Sequence, residues 1–169
     1  MAVEIERKFL VKDDSYKALA NGSSHIRQGY ITSERGRTVR IRIRQTDGIE
    51  ADSGAEASGH AYVTIKGPSV DGGLSRLEFE YEIPVADGEQ LLTLCEPGVI
   101  DKRRWLVRSG AHTFEVDEFF GDNKGLVMAE VELASPDEQP IMPPFIGQEV
   151  TGDRRYYNSQ LRRKPYTTW

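Results

Sequence analysis

Val3-Glu4-Ile5-Glu6-Arg7-Lys8-Phe9-Leu10 is the stretch that decides how the rest of the chain is read. It alternates, and in a β-strand successive side chains point to opposite faces. Glu4, Glu6 and Lys8 therefore share one face, about 7 Å apart along the strand. Val3, Ile5 and Phe9 share the other, with Arg7 the odd member. Neighbouring carboxylates repel and favour a cation between them, and hard divalent ions such as Mg²⁺ take oxygen ligands of this kind. A solvated, salt-bridged edge strand would show the same alternation, so the remaining strands must decide.

They repeat the pattern. Thr38-Val39-Arg40-Ile41-Arg42-Ile43-Arg44 stacks three arginines on one face, a costly arrangement unless something negative lies opposite. Arginine presents a planar fork suited to phosphate oxygens. Residues 60–66 set Tyr62, Thr64 and Lys66 against Val63 and Ile65, and residues 75–83 set Arg76, Glu78, Glu80 and Glu82 against Leu77, Phe79 and Tyr81. Residues 100–107 carry Lys102 and Arg104 on one face, residues 113–119 carry Glu115 and Asp117, and residues 126–133 carry Glu130 and Glu132. A further strand over 26–32 contains Arg27, Gln28 and Tyr30. That makes about eight strands, mostly antiparallel by their turn signals. Turns are read at Arg35-Gly36, Gly67-Pro68 and Asp71-Gly72-Gly73, and residues 46–59 read as a long hairpin loop. Three helices are expected: a brief one within the polar piece 12–21, capped by Asp14, running across Tyr16, Leu19 and Ala20 and ended by Gly22, one capped by Asp87 and closed by Pro97-Gly98, and a terminal one over 151–164.

Composition excludes several classes. The chain has 169 residues, the size of one domain, with formal net charge −5. An acidic balance argues against a general nucleic-acid surface. No apolar run reaches membrane-spanning length, and acids stand where a signal peptide needs a basic and then apolar start, so the expected location is cytoplasmic. Cys95 is the one cysteine and is read as a small buried apolar residue. His25, His60 and His112 lack ligand spacing, and no phosphate-binding glycine loop or serine elbow is present.

Charges of both signs on strand after strand gain a common meaning if the sheet closes. The expected fold is mainly β (α+β), a closed antiparallel β-barrel tunnel of about eight strands with flanking helices, one domain over 1–169. In a barrel these side chains meet in one lumen large enough for a small ligand. Carboxylates for a cation and a basic rim for phosphates suit a metal-bound polyphosphate.

Glu4-Ile5-Glu6-Arg7-Lys8 resembles the ExExK signature of the CYTH superfamily, the triphosphate tunnel metalloenzymes. Arg42 and Arg44, Lys66, Gly73-Leu74-Ser75-Arg76 with Glu78 and Glu80, Lys102 and Arg104, Glu115 and Asp117, and Glu130 and Glu132 resemble its later strand motifs in the same order. The short form with Phe9-Leu10-Val11 after ExExK looks most like the small bacterial inorganic triphosphatases. Two departures are a third arginine, Arg40, and the long 46–59 loop. The resemblance implies a divalent-metal-dependent hydrolase of inorganic triphosphate or a related triphosphate, using Mg²⁺ or Mn²⁺. The alternatives are a class IV-type adenylate cyclase, a thiamine triphosphatase and a non-enzymatic polyphosphate-binding module. It implies Glu4, Glu6, Glu130 and Glu132 as metal ligands. Glu115 and Asp117 are read as ligands of a second ion or supports of lumen bases, and Glu78 and Glu80 as braces of Arg and Lys side chains. Arg42, Arg44, Lys66, Arg76, Lys102 and Arg104 are expected to bind phosphates, with Arg155 joining from the tail. Lys8, paired with Tyr30, is expected to orient or deprotonate the attacking water. The expected partner is a triphosphate-containing small molecule, without nucleic acid or membrane; a homodimer is left open.

Overall fold

The computed structural model describes residues 3–46 and 59–169, so nearly all of the predicted 46–59 loop lies outside the described residues. Nine strands are described: β1 (Val3–Val11), β2 (Gly22–Thr32), β3 (Thr38–Thr46), β4 (Gly59–Val70), β5 (Ser75–Ile83), β6 (Ile100–Ser109), β7 (His112–Phe119), β8 (Val127–Glu132) and β9 (Ile146–Glu149). Helices α1 (Tyr16–Leu19), α2 (Val85–Leu92) and α3 (Asn158–Leu161) are short. The strands run β5-β4-β3-β2-β6-β7-β8-β1, and β1 pairs with β5 to close the ring. Every pairing is antiparallel, and β9 adds to β1 outside the ring.

Register carries the sequence alternation into three dimensions. Glu6 lies opposite Glu132 and Lys8 opposite Glu130. Glu4 faces Arg76, Arg42 faces Gln28, Thr38 faces Lys66 and Lys66 faces Glu78. Arg104 faces Asp117, and Glu115 faces Glu130. Directly opposed residues of an antiparallel pair share a face, so these charged side chains all turn inward.

The apolar core consequently lies mostly outside the ring. Phe9, Val107, Phe114, Val116, Ala129 and Val131 point outward from β1 and β6–β8 and pack with Tyr16 of α1, Leu133 and Phe145. On the opposite side α2 sits so close that a Cβ on Gly88 would come 2.7 Å from Ala61 Cβ. Inside, at one end only, Ile100, Phe119 and Met128 meet Val150, Tyr156 and Leu161 of the tail in an apolar stopper. Arg7, the odd member of the outward face, pairs with Glu149 on β9 at 2.9 Å.

Several expectations need correction. The terminal helix over 151–164 is broken into a 3₁₀ turn (Arg154–Tyr156) and α3, because Tyr157 between them is extended (φ −69, ψ 132). α2 begins after Pro84, which places Asp87 inside its first turn, not at its cap. α1 has Ser15 at its N-cap position with no side-chain capping bond, and Asp14 contributes only its backbone carbonyl, to Lys17 N. β4 runs on through Gly67-Pro68 to Val70 with a register shift between Lys66 and Ser69, since a proline is tolerated at a strand irregularity. β9 was not anticipated. Cys95 is half-buried, packed against Gly29, where a Cβ would fall 2.8 Å from Cys95 Cβ.

Among the described residues, no helix is long and apolar enough to cross a membrane.

Candidate active site

The lumen is a tunnel with a wider and a narrower part. The wider cavity, about 210 Å³, is lined entirely by charge: seven glutamates facing four arginines and a lysine. It continues into a pinch of about 40 Å³ that shares Glu6, Arg40, Arg42, Lys66, Arg104 and Glu130 with it and adds Lys8, Tyr30, Arg76, Lys102, Tyr157 and Asn158. A third cavity of about 280 Å³ adjoins the pinch at Thr38, Arg76, Tyr157 and Ser159.

Contacts inside the tunnel pair bases with acids along its wall, mostly between neighbouring strands. Lys8 Nζ stands 3.4 Å from Glu130 Oε1. Lys66 Nζ lies 2.7 Å from Glu4 Oε2 and 3.0 Å from Glu78 Oε2, and Arg76 Nε is 3.6 Å from the same Glu4 oxygen. Arg40 reaches Glu80 at 3.4 Å and donates to Thr64 Oγ1 at 3.0 Å. Asp117, almost fully buried, takes Arg104 in a two-pronged grip at 2.7 and 2.8 Å and Lys102 at 2.7 Å. Arg104 also pairs with Glu115. Glu78 and Glu80 thus each pair with a lumen base. Arg40 Nε and Arg44 Nε are buried donors with no acceptor among the described residues.

Like charges crowd as well. Burial, then the carboxylates of Glu130 and Glu4, push the Glu6 carboxyl up to about 7. Burial, then Glu4, Glu115 and Glu78, raise Glu132. On the basic side, burial and then Arg40 and Arg104 draw Arg42 down to about 9, still protonated at neutral pH. Burial carries Lys102 down to about 7, with Asp117 opposing and Arg104 and Arg42 adding. Lys8 behaves differently: burial presses it down, but Glu130 and Glu6 outweigh burial and hold its ammonium above the ordinary value. Glu130 is the counterpart, raised by burial but held well below the usual carboxylate range by Lys8, Arg104 and Lys102.

The structure gathers every lumen residue expected from the sequence except one. Arg155 is on the surface, its side chain 65 % exposed and paired with Asp153 at 2.7 Å, beside Trp169 in a separate cavity. Arg155 lies in the 3₁₀ turn of the broken tail, ahead of the extended Tyr157. Tyr30 shares the pinch with Lys8, but its hydroxyl accepts from Gln28 Nε2 at 3.3 Å. The ring over Lys8 Nζ belongs to Tyr157, at 5.0 Å, and the same ring takes Arg76 at 5.5 Å. Gln28, Thr64, Tyr157 and Asn158 were missed. The first two sit at inward positions of alternating strands and were legible from that parity; the tail pair was not.

Among the described residues no three His, Cys, Asp or Glu side chains are already gathered to hold an ion. Mg²⁺ does not demand that, since it takes one or two carboxylates with phosphate oxygens and keeps waters. The raised Glu6 and Glu132 carboxyls, crowded by Glu4, Glu115 and Glu130, are a donor set that a hard divalent cation fits.

A family model for the CYTH domain matches residues 2–160. The chain belongs to the CYTH family. It is 47% identical over 169 residues to an inorganic triphosphatase of Acetivibrio thermocellus, covering 98% of this chain and 97% of that one. It is 36% identical over 164 residues to an inorganic triphosphatase of Nitrosomonas europaea, covering 94% and 95%. Among solved structures, the crystal structure of the inorganic triphosphatase NE1496 superposes with TM-score 0.58 at 30% identity over 96% of this chain and 95% of that chain.

Proposed function

We propose that this CYTH protein hydrolyses inorganic triphosphate with the help of Mg²⁺ or Mn²⁺. The observation that carries the reading is the double crowding in one tunnel: carboxylates forced together on one side and guanidinium and ammonium groups on the other. A cation relieves the first and a polyanion relieves the second, so a metal-bound triphosphate answers both. A pure anion binder would gain nothing from Glu4, Glu6, Glu130 and Glu132. The name shared by the two relatives supports the same substrate.

In the reaction, water oxygen bonds to the terminal phosphorus and the bond from that phosphorus to the bridging oxygen breaks. Orthophosphate and pyrophosphate leave. Arg42, Arg44, Lys66, Arg76, Lys102 and Arg104 hold phosphate oxygens, and Arg40, inward and buried, joins them. Lys8, kept protonated by Glu130 and Glu6, acts as a donor that orients the water or a phosphoryl oxygen; Tyr157 and Tyr30 border it. A proton-abstracting role for Lys8 is not favoured by this arrangement, because a base must be unprotonated to act. Glu4, Glu6, Glu130 and Glu132 are the set that would supply the one or two carboxylates holding the cation. Glu115, exposed to the wider cavity, is better placed for a second ion than Asp117, which Lys102 and Arg104 already occupy. When bound, the cation supplies neutralisation and polarisation of phosphoryl oxygens.

The test is a panel of triphosphate, ATP and thiamine triphosphate with each metal, reading orthophosphate, pyrophosphate and cyclic AMP. Fastest turnover on triphosphate supports the proposal. Cyclic AMP from ATP would make the protein a cyclase, and tight binding without turnover would make it a polyphosphate-binding module.

A further inference from the structure

Asn158 opens α3, and nothing in the sequence singles it out. Its Oδ1 accepts from Lys102 Nζ and from Gln28 Nε2, each at 3.1 Å. Gln28 is fully buried, and its Oε1 accepts from Arg42 Nε at 3.0 Å. Lys102 donates onward to Asp117, which grips Arg104. One unbroken hydrogen-bond chain thus runs Arg42, Gln28, Asn158, Lys102, Asp117, Arg104, along the wall formed by the adjacent strands β3, β2, β6 and β7, with β2 and β6 joined through a single amide of the tail.

Donor and acceptor chemistry fixes the sense of that chain. Arginine and protonated lysine have donors only. The Asn158 atom facing Lys102 must therefore be its oxygen, the Gln28 atom facing Asn158 must be its nitrogen, and the Gln28 oxygen is left for Arg42. Remove the Asn158 oxygen and Gln28 loses the contact that turns its amide toward Arg42. An amide oxygen is also a neutral acceptor, so it steadies the Lys102 ammonium without cancelling its charge. With Nε committed to Gln28, the terminal nitrogens of Arg42 remain for an anion.

We propose that Asn158 is a positioning residue for the triphosphate, acting through Lys102 and, by way of Gln28, through Arg42. The proposal rests on those two bases being phosphate ligands. The tail that carries Asn158 is firmly seated. Ser159 and Leu161 are buried, and Arg162 clamps Glu96 beside Ser33. Tyr157, one residue earlier, contacts Lys8 and Arg76.

The experiment is a double-variant cycle on the full chain, with parent, Asn158→Ala, Lys102→Ala and the double variant. Inorganic triphosphate is titrated calorimetrically into metal-free protein in chelator, and steady-state kinetics are taken with metal. Asn158→Ala is expected to weaken binding and raise KM about tenfold, with kcat within about threefold, the size of losing a hydrogen bond to a charged group. In the Lys102→Ala background the same change should cost about threefold or less, because contacting residues couple. Unchanged binding in Asn158→Ala overturns the proposal. Equal weakening in both backgrounds also overturns it, since a tail that has merely loosened acts alike in each. If Lys102→Ala itself binds like the parent, the assignment of Lys102 as a phosphate ligand fails, and the inference resting on it falls too.

Discussion

Glu6→Gln should stabilise the metal-free protein above neutral pH and, in the same variant, blunt its response to divalent cation. Gln keeps the size of the side chain and removes only its charge. The Glu6 carboxyl is raised from 4.5 to about 7 by burial and by Glu130 and Glu4. One pKa unit is about 1.4 kcal/mol, so ionising this group in the folded state costs up to about 3 kcal/mol. The sign follows from the raised value: the cost is absent below the ordinary pKa, grows as pH climbs from 4.5 toward 7, and is fully present above it. In chelator at pH 8 the variant should melt higher by roughly 6–12 °C, at about 2–4 °C per kcal/mol for a chain of this length. At pH 5 the gain should fall to about a quarter of that, because the cost has only begun to develop just above 4.5. Adding Mg²⁺ at pH 8 should raise the parent's midpoint, because a ligand bound only by the folded state stabilises it, and should move the variant's less than half as far. Thermal melts followed by circular dichroism at both pH values, with chelator and with Mg²⁺, are sufficient. A gain of equal size at pH 5 and pH 8, or no gain at all, would refute the crowding argument.

Arg42→Ala removes a cation that Arg40 and Arg104 repel, so the fold should hold while triphosphate affinity drops by about tenfold or more, the worth of one or two charge-assisted contacts; calorimetric titration reads this, and parent-like affinity would remove β3 from the phosphate site. Lys8→Ala should lower kcat at saturating triphosphate by about a hundredfold or more, the cost of removing a positioned donor at the reacting group, and undiminished turnover would leave Lys8 a salt-bridge partner of Glu130 alone. Gly73→Ala should destabilise the tail's seat by about 1–3 kcal/mol, because Gly73 has φ +93 and a Cβ there would collide with Gly152 Cα; a melt within 1 °C of the parent, roughly a few tenths of a kcal/mol for a chain of this size, would show that the turn yields freely.

Strand parity made most of the barrel legible. Because opposite strands match inward position to inward position, the Glu-x-Glu-x-Lys face of β1 and the Arg faces of β3 and β6 were bound to meet once the ring closed. Gln28 and Thr64 obey the same rule, but as uncharged side chains they carry no assigned role in the sequence reading. The tail escaped because its placement depends on tertiary packing: Tyr157 leaves helical geometry to lie against Lys8 and Arg76, and no local period encodes that. The short helices were misplaced at their starts for a related reason. Val85 follows Pro84, whose fixed φ suits a helix entry, and that outweighed the capping tendency of Asp87. β9 owes its existence to β1, whose residues 9–11 it pairs with outside the ring, a contact that four residues between prolines and a turn do not announce.

The most direct test of the account follows phosphorus in a single reaction: purified protein, inorganic triphosphate and Mg²⁺ or Mn²⁺, monitored by ³¹P resonance with and without excess chelator. Orthophosphate and pyrophosphate should appear in equal amounts as triphosphate disappears, and the reaction should stop on chelation. Persistence of the full rate in chelator, or triphosphate left intact with metal present, would contradict the claim that the crowded charges of this tunnel serve a metal-bound triphosphate.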